Sequence, residues 1–533
     1  MVVFMKKMKE TQVQKSPFKL IYNNDGTNVL NCISPFNGRD EEFSYIKPFQ
    51  ADGKNFRPQM IEASVDEIAD TGVDASLFSP GLGWVPWWPS KVCPDHYKWY
   101  ETQTGELIKG GGIEYFVRHG GDMVKPFVNR CRRHQIAPFI TFRLNDGHFV
   151  GIRGLDKYKP RFYVEHPEYQ LSPNGTQNWR FHQVREYKLA LITELLENYD
   201  LDGIELDFMR HWSFFNTGET TSNERKAIMT EFVGCVRSVL DQTAKDGRHR
   251  WLCVRVPIFL SKHDAMGIDL VTWVNQCGLE MVNLSASYLT HQEGDLPKIR
   301  RMVPDVAIYQ ECTQATITAT MPHPEPNKPD QFHYRRTTDE EFYTTAYLAY
   351  KQGADGISLF NFAYYREHGA PLRGTFCEPP FHVLKSLTDK NWLSQQQALH
   401  YFLGSTTNDA SAVDFQLERK ISKGQIQKLT MQMSPPEGIN GLKFYFRIHT
   451  RHSSENLYWT VLLNNVELVP HQLDGEPIEQ PYDGLLGEAN QQTGFIGDPE
   501  IVLEGENVLE IKLISGGPID VIRIDLVFIY GSD

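Results

Sequence analysis

The chain has 533 residues, of which 41% are hydrophobic and 23% charged, with a formal net charge of -13. These totals describe a soluble globular protein long enough for one large and one small domain. The acidic balance argues against nucleic acid or an anionic membrane as partner, and no apolar run is long enough to span a bilayer.

The first residues, Met1 to Lys9, hold no signal-peptide core and no small-residue cleavage site follows them. The expected compartment is therefore cytoplasmic, or secreted or periplasmic had a leader been removed. Eight cysteines (Cys32, Cys93, Cys131, Cys235, Cys253, Cys277, Cys312, Cys377) form no CxxC pair and read as free thiols, several of them in apolar runs. Aromatic residues make up 12% of the chain, ten of them Trp. That content mildly favours a partner that stacks on flat rings.

From about residue 20 one theme recurs: a short apolar strand, a polar segment, then a helix-period stretch. The strands expected are Leu20–Asp25, Ala75–Pro80, Ala137–Asp146, Gly203–Arg210, Trp251–Ile258, Met281–Tyr288, Val306–Thr313 and Gly356–Phe362. Between them, Ser64-Val65-Asp66-Glu67 and Thr338-Asp339-Glu340-Glu341 fit the capping-box pattern of a helix start. Met123, Val124, Phe127, Val128 and Cys131 mark one helix face, and Val184, Tyr187, Leu191, Leu195 and Tyr199 another.

Eight strands alternating with helices predict an α/β fold, a closed (β/α)8 barrel, with a doubly wound open sheet as runner-up. Helix-to-strand links are short, whereas the strand-to-helix loops 81–121, 147–182, 211–222 and 314–337 are long. In a barrel all of these long loops emerge at the C-terminal face, where such folds carry their active sites.

After Trp392 the pattern changes to alternating runs separated by turns, among them Leu442–His449, Leu457–Leu463, Asn507–Ile514 and Val521–Tyr530. This predicts a β-sandwich, jelly-roll-like, over 396–533, after an N-terminal extension at 1–19 and a barrel at 20–395. The runs Trp459 to Val466 and Gly505 to Lys512 resemble the galactose-binding-like jelly rolls that accompany carbohydrate enzymes. That resemblance implies glycan binding or a scaffold role.

The fourth strand is the informative one. In Gly203-Ile204-Glu205-Leu206-Asp207-Phe208-Met209-Arg210-His211, the apolar residues alternate with Glu205 and Asp207. With both faces of a barrel strand covered, two carboxylates on one face need partners or a task. An internal ion-pair network with Arg143 and Arg255 is one reading, and catalysis the other. Glu311 closes the seventh strand after an apolar run. Carboxylates ending strands four and seven suit glycosidic cleavage, one protonating the leaving oxygen and the other attacking or activating water.

Further candidates for substrate contact are Arg143, Asn145 and Asp146 after strand three, Arg210 and His211 after strand four, and Arg255 on strand five. Tyr288 after strand six and Asn361 after strand eight complete the set of strand ends. The loop Trp84-Val85-Pro86-Trp87-Trp88-Pro89, with Trp99 and Tyr100, is expected to present Trp87 and Trp88 as an aromatic platform for sugar rings.

The stretch Asp202-Gly203-Ile204-Glu205-Leu206-Asp207-Phe208-Met209-Arg210 is similar to the DGI-x-x-D-x-x-R signature of glycosyl hydrolases distantly similar to family 10 xylanases. The amphipathic stretch Ile61–Leu77 also looks like that group. The resemblance runs over residues 20–390 and is specific at strand four. It implies a TIM-barrel glycoside hydrolase cleaving an O-glycosidic bond in an oligo- or polysaccharide with retention of configuration. Asp207 would be the acid/base and Glu311 the nucleophile. The xylanases carry Glu after Asn at strand four, where this chain has Asp after Leu206.

No cofactor is expected, and the partner is a carbohydrate substrate; self-association into a homo-oligomer is compatible with the composition. The alternatives are a metal-dependent barrel hydrolase, for which His148, His211, His263 and His291 follow strands three to six, and a non-catalytic glycan-binding protein.

Overall fold

Eight parallel strands close into a ring in the computed structural model, and each matches one expected from the alternation of residues. They are β1 (Leu20–Asp25), β2 (Ala75–Ser79), β3 (Ala137–Arg143), β4 (Gly203–Asp207), β5 (Trp251–Pro257), β6 (Met281–Ser285), β7 (Ala307–Thr313) and β8 (Gly356–Phe360). Neighbours in the ring are neighbours in sequence, with β8 beside β1. The open-sheet alternative is thereby excluded.

The described residues are 15–26, 28–32, 34, 45–47, 50–51, 57–82, 85–94, 121–147, 160–172, 175–321, 331–366, 378–396, 398–405, 414–436, 442–472, 477–478 and 491–530. Trp84, Trp99, Tyr100 and His148 lie outside them.

The chain falls into two compact units. One comprises Met1–Ser287, Leu296–Gln310 and Ser358–Asn361; the other comprises Tyr288–Asp295, Glu311–Ile357 and Phe362–Asp533.

In the first unit, helices α1 (Pro58–Asp66), α2 (Val124–Arg133), α3 (His182–Asn198) and α4 (Ser222–Gln242) follow strands β1 to β4. The expected apolar faces are the buried ones: Val124, Phe127, Val128 and Cys131 on α2, and Val184, Leu191 and Leu195 on α3. Ser64 does not cap a helix. It is the seventh residue of α1, which starts at Pro58, and its hydroxyl donates back to the Ile61 carbonyl. A capping box that the sequence reading passed over, Thr221 with Glu224, starts α4.

The interior of the ring is layered by strand alternation. Ile21, Leu77, Phe139, Trp251, Cys253, Met281 and Tyr309 belong to an apolar cluster. Gly203 begins β4 within this layer because a Cβ there would stand 2.3 Å from the Phe139 ring and 2.5 Å from the Trp251 carbonyl. Two residues further along β1, β3, β4 and β6, the same face turns polar with Asn23, Thr141, Glu205 and Asn283. Two further still, β1, β3 and β4 turn charged with Asp25, Arg143 and Asp207, level with Arg255 on β5.

The second unit contains a hairpin of Ala315–Met321 with Gln331–Arg336 and the helix α5 (Asp339–Lys351). The expected capping box of Thr338 and Glu341 opens that helix. Two antiparallel sheets follow. One orders β9 (His400–Leu403), β15 (Ile519–Tyr530), β11 (Leu442–Thr450) and β13 (Gln492–Gly497); the other orders β10 (Ile426–Met433), β14 (Gly505–Ser515) and β12 (Tyr458–Leu463). The two runs singled out for their jelly-roll resemblance pair as β12 and β14, with Val461 opposite Ile511.

One face of β11 and β15 is charged yet wholly buried. Asp525 there accepts from Arg447 at 2.8 Å and lies 3.2 Å from the rings of both His400 and His449. Glu341 accepts from Arg523 at 2.6 Å. Such a cluster is held by mutual pairing, because each of its charges alone would be costly to bury.

Candidate active site

Asp207 ends β4 with an arginine at the same level on either side. Register pairs it with Arg143 on β3 and with Arg255 on β5. Arg255 donates to both Asp207 oxygens, at 3.2 and 3.3 Å, and the Met209 backbone N–H donates to Oδ1 at 2.7 Å. Two nitrogens, Arg255 Nη1 across both oxygens and the Met209 backbone N–H, thus aim at this carboxylate, which is 1% exposed.

Arg255 is itself fixed on all sides. Its other nitrogen donates to Ser285 Oγ and the Ser287 carbonyl, both at 3.1 Å, and its guanidinium lies 3.9 Å over the Phe360 ring. A planar guanidinium locked in this way presents a fixed positive edge to Asp207.

Arg143 turns to other acids. It pairs with Asp25 at 2.7 Å and with Asp146 at 3.1 Å. Burial works against its charge, but Asp25, Asp146 and Asp207 together hold the guanidinium above its ordinary pKa. Arg210 is buried nearby. Burial and the like charge of Arg143 pull its pKa down, against the attraction of Asp146, Asp25 and Asp207. His211 is partly exposed, accepts from the Gly147 N–H at 2.9 Å and stands 3.7 Å from Asp146.

Glu205 lies one layer deeper and, among the described residues, touches no cation within hydrogen-bonding distance. Its Oε1 accepts from Asn23 and Thr141, both at 2.6 Å, and its Oε2 from Asn283 at 3.0 Å and the Cys253 thiol at 3.6 Å. Burial, reinforced by the charge of Asp207, pushes Glu205 up to about 7. Arg255 and the Thr141 and Asn283 hydrogen bonds pull the other way. The internal network foreseen for the two carboxylates is thus divided: Asp207 has the arginine, and Glu205 has amides and hydroxyls.

Three non-glycine residues just past strand ends hold left-handed backbone: His211 (φ 59°), Ser287 (φ 68°) and Asn361 (φ 53°). Strain of this kind gathers where a fold fixes a functional geometry. Asn361 is wholly buried, and neither atom of its side-chain amide has a partner among the described residues.

Other candidates have different occupations. Asn145 donates to the Gln177 and Ser213 carbonyls and accepts from the Gln177 N–H, so it ties two loops together. The aromatic platform is not formed by Trp87 and Trp88, which are 2% and 3% exposed. The Trp88 indole donates to Glu194 on α3 at 2.9 Å, and the Trp87 ring fills the space a side chain at Gly26 would need. Tyr288 is half-buried and Glu311 wholly buried, and both belong to the second unit.

His263 lies 2.7 Å from the Pro257 carbonyl. No group of three or more His, Cys, Asp or Glu side chains is arranged to hold a metal ion among the described residues. Asp25 is the site residue that sequence reasoning missed. Its signal was its position on β1, two residues past Asn23 on the inward face.

No protein-family profile matches the chain, and no curated protein matches it in sequence. Among solved structures it is similar to the alpha-L-fucosidase isoenzyme 1 from Paenibacillus thiaminolyticus, at 12% identity and a TM-score of 0.37, covering 93% of this chain and 96% of that one. It is also similar to the Ostrinia furnacalis Group II chitinase catalytic domain 2, at 8% identity and a TM-score of 0.39, covering 70% and 96%. Likeness this remote says nothing about chemistry.

Proposed function

We propose that the protein is a glycoside hydrolase acting on an O-glycosidic bond with retention of configuration, with Asp207 as the nucleophile and Glu311 as the acid/base. What supports this is the surrounding of Asp207: a carboxylate at the end of a barrel strand, met by one backbone N–H and by one fixed arginine whose Nη1 spans both of its oxygens. A general acid must carry a proton and deliver it to the leaving oxygen. A carboxylate whose oxygens already accept from a fixed arginine and a backbone N–H is held in place instead as an attacking group. The roles are therefore the reverse of those implied by the xylanase resemblance.

In the first step an Asp207 oxygen bonds to the anomeric carbon as the glycosidic C–O bond breaks, and the leaving oxygen takes the proton of Glu311. Water deprotonated by Glu311 then releases the sugar. Arg143 in the charged layer, and Arg210 buried near it beyond the end of β4, would bind hydroxyl or carboxylate groups of the substrate. The test is hydrolysis of a panel of aryl glycosides by the wild type, Asp207→Asn and Glu311→Gln. On a substrate the wild type cleaves, each variant loses several orders of magnitude in kcat while remaining folded. Near wild-type turnover by either one removes it from the mechanism.

A further inference from the structure

Building on that hydrolase reading, we infer that Glu205 is a positioning residue that acts through Asp207: held by neutral side chains one layer below the nucleophile, it takes up and releases a proton, and its charge sets the potential at the nucleophile.

The geometry carries this. Four side chains from four different strands, Asn23 on β1, Thr141 on β3, Cys253 on β5 and Asn283 on β6, converge on the two Glu205 oxygens. All four are neutral, so they orient the carboxylate without cancelling its charge. Asp207 follows two residues later on the same face of β4, roughly 6–7 Å along an extended strand. The charge of Arg255 acts on both carboxylates, although of the two it is Asp207 that accepts its hydrogen bonds.

The titratable and charged groups around Glu205 in this unit are Asp207 on its own strand, Cys253 and Arg255 on β5, Arg143 on β3, Asp25 on β1 and Tyr309 on β7. The cysteine adds no charge, because burial and Glu205 itself push its thiol well above the ordinary range. A proton on Glu205 also has an acceptor at hand. The amide oxygen of Asn23 has no hydrogen-bond partner among the described residues, and turning that amide over presents it to a Glu205 O–H.

Glu205 is thus poised between two forms: protonated, it leaves Asp207 matched one-to-one with Arg255; ionised, it places a second negative charge behind the nucleophile. The ionised form favours a transition state in which positive charge develops at the anomeric carbon.

Infrared difference spectroscopy of the full chain across a pH titration, without substrate, reads this proton directly. In the wild type a protonated-carboxyl C=O band is expected to disappear with a midpoint near 7, and Glu205→Gln is expected to lack it. Asp207→Asn removes the like charge and is expected to lower the midpoint by about one unit or more. Asn283→Ala removes a donor to the ionised form and is expected to raise it, which keeps the test open should the Asp207 variant fail to fold. No band that Glu205→Gln removes, or a midpoint indifferent to both neighbours, overturns the inference. A titrating Glu205 in a protein inert towards every glycoside overturns the hydrolase reading alone.

Discussion

Replacing Arg255 by Met tests whether Asp207 and Arg255 form one energetic unit. Methionine keeps the stem that lies on Phe360 but removes both bonds to Asp207 and those to Ser285 Oγ and the Ser287 carbonyl. Asp207 would then be a buried carboxylate beside Glu205 with only the Met209 N–H left of its two donors. Breaking a buried pair in this way costs about 3–5 kcal/mol. Asp207→Asn strands the cation instead and should cost a similar amount. The double variant strands neither charge. It loses mainly the two bonds from Arg255 to serine oxygens, at about 1 kcal/mol each. It should therefore be more stable than either single, with a coupling energy of about 3 kcal/mol or more. Urea unfolding followed by tryptophan fluorescence measures the cycle, since Trp251 and Trp273 lie in the same unit. If the two single costs add to within about 0.5 kcal/mol, the pair is not coupled and the reasoning fails.

Acid should loosen the second unit. Burial holds His449 down at about 4, below its ordinary 6.5, despite the pull of Asp525. The unfolded chain therefore takes up that proton first, and stability falls as pH drops from 6.5 to 4, by about 3 kcal/mol. Asp525 is held well below the usual carboxylate range, against its burial, by Arg447 and His449. Its contribution is present above about pH 3.9 and lost as pH falls through its lower folded value. Urea midpoints against pH should show the decline, His449→Gln should flatten the part above 4, and a wild-type midpoint constant over that range contradicts the assignment. Trp88→Phe should cost about 1–3 kcal/mol by depriving Glu194 of a donor, with turnover unchanged. Lost turnover at full stability would return Trp88 to the substrate.

The ring was legible because each barrel strand carries its apolar residues where burial requires them, and eight such runs alternate with helix-period segments. Strand ends were read too long. Asn145, Asp146, Met209 and Arg210 lie past the last ladder pairs of β3 and β4, because a residue that turns towards a neighbouring loop or charge leaves the pleat. Alternation also placed Glu205 and Asp207 on one face, yet it could not say which would meet the arginine. That depended on the register of β3 and β5 against β4, a non-local fact. Asp25 escaped notice for the same reason, since its partner Arg143 is far away in sequence. The tryptophans of the β2 loop misled because prolines and clustered rings look alike whether they face solvent or, as Trp88 does, a buried glutamate on α3.

The most direct test of the mechanism is to trap the intermediate. Activated 2-deoxy-2-fluoro glycosides from the panel slow the second step more than the first, so a retaining enzyme accumulates its glycosyl ester. Mass spectrometry of the digested protein should find the sugar on the peptide containing Asp207, with no adduct in Asp207→Asn. A sugar attached to Glu311 would contradict the assignment of roles, and turnover of the parent glycoside to the inverted anomer without any adduct would contradict the covalent mechanism.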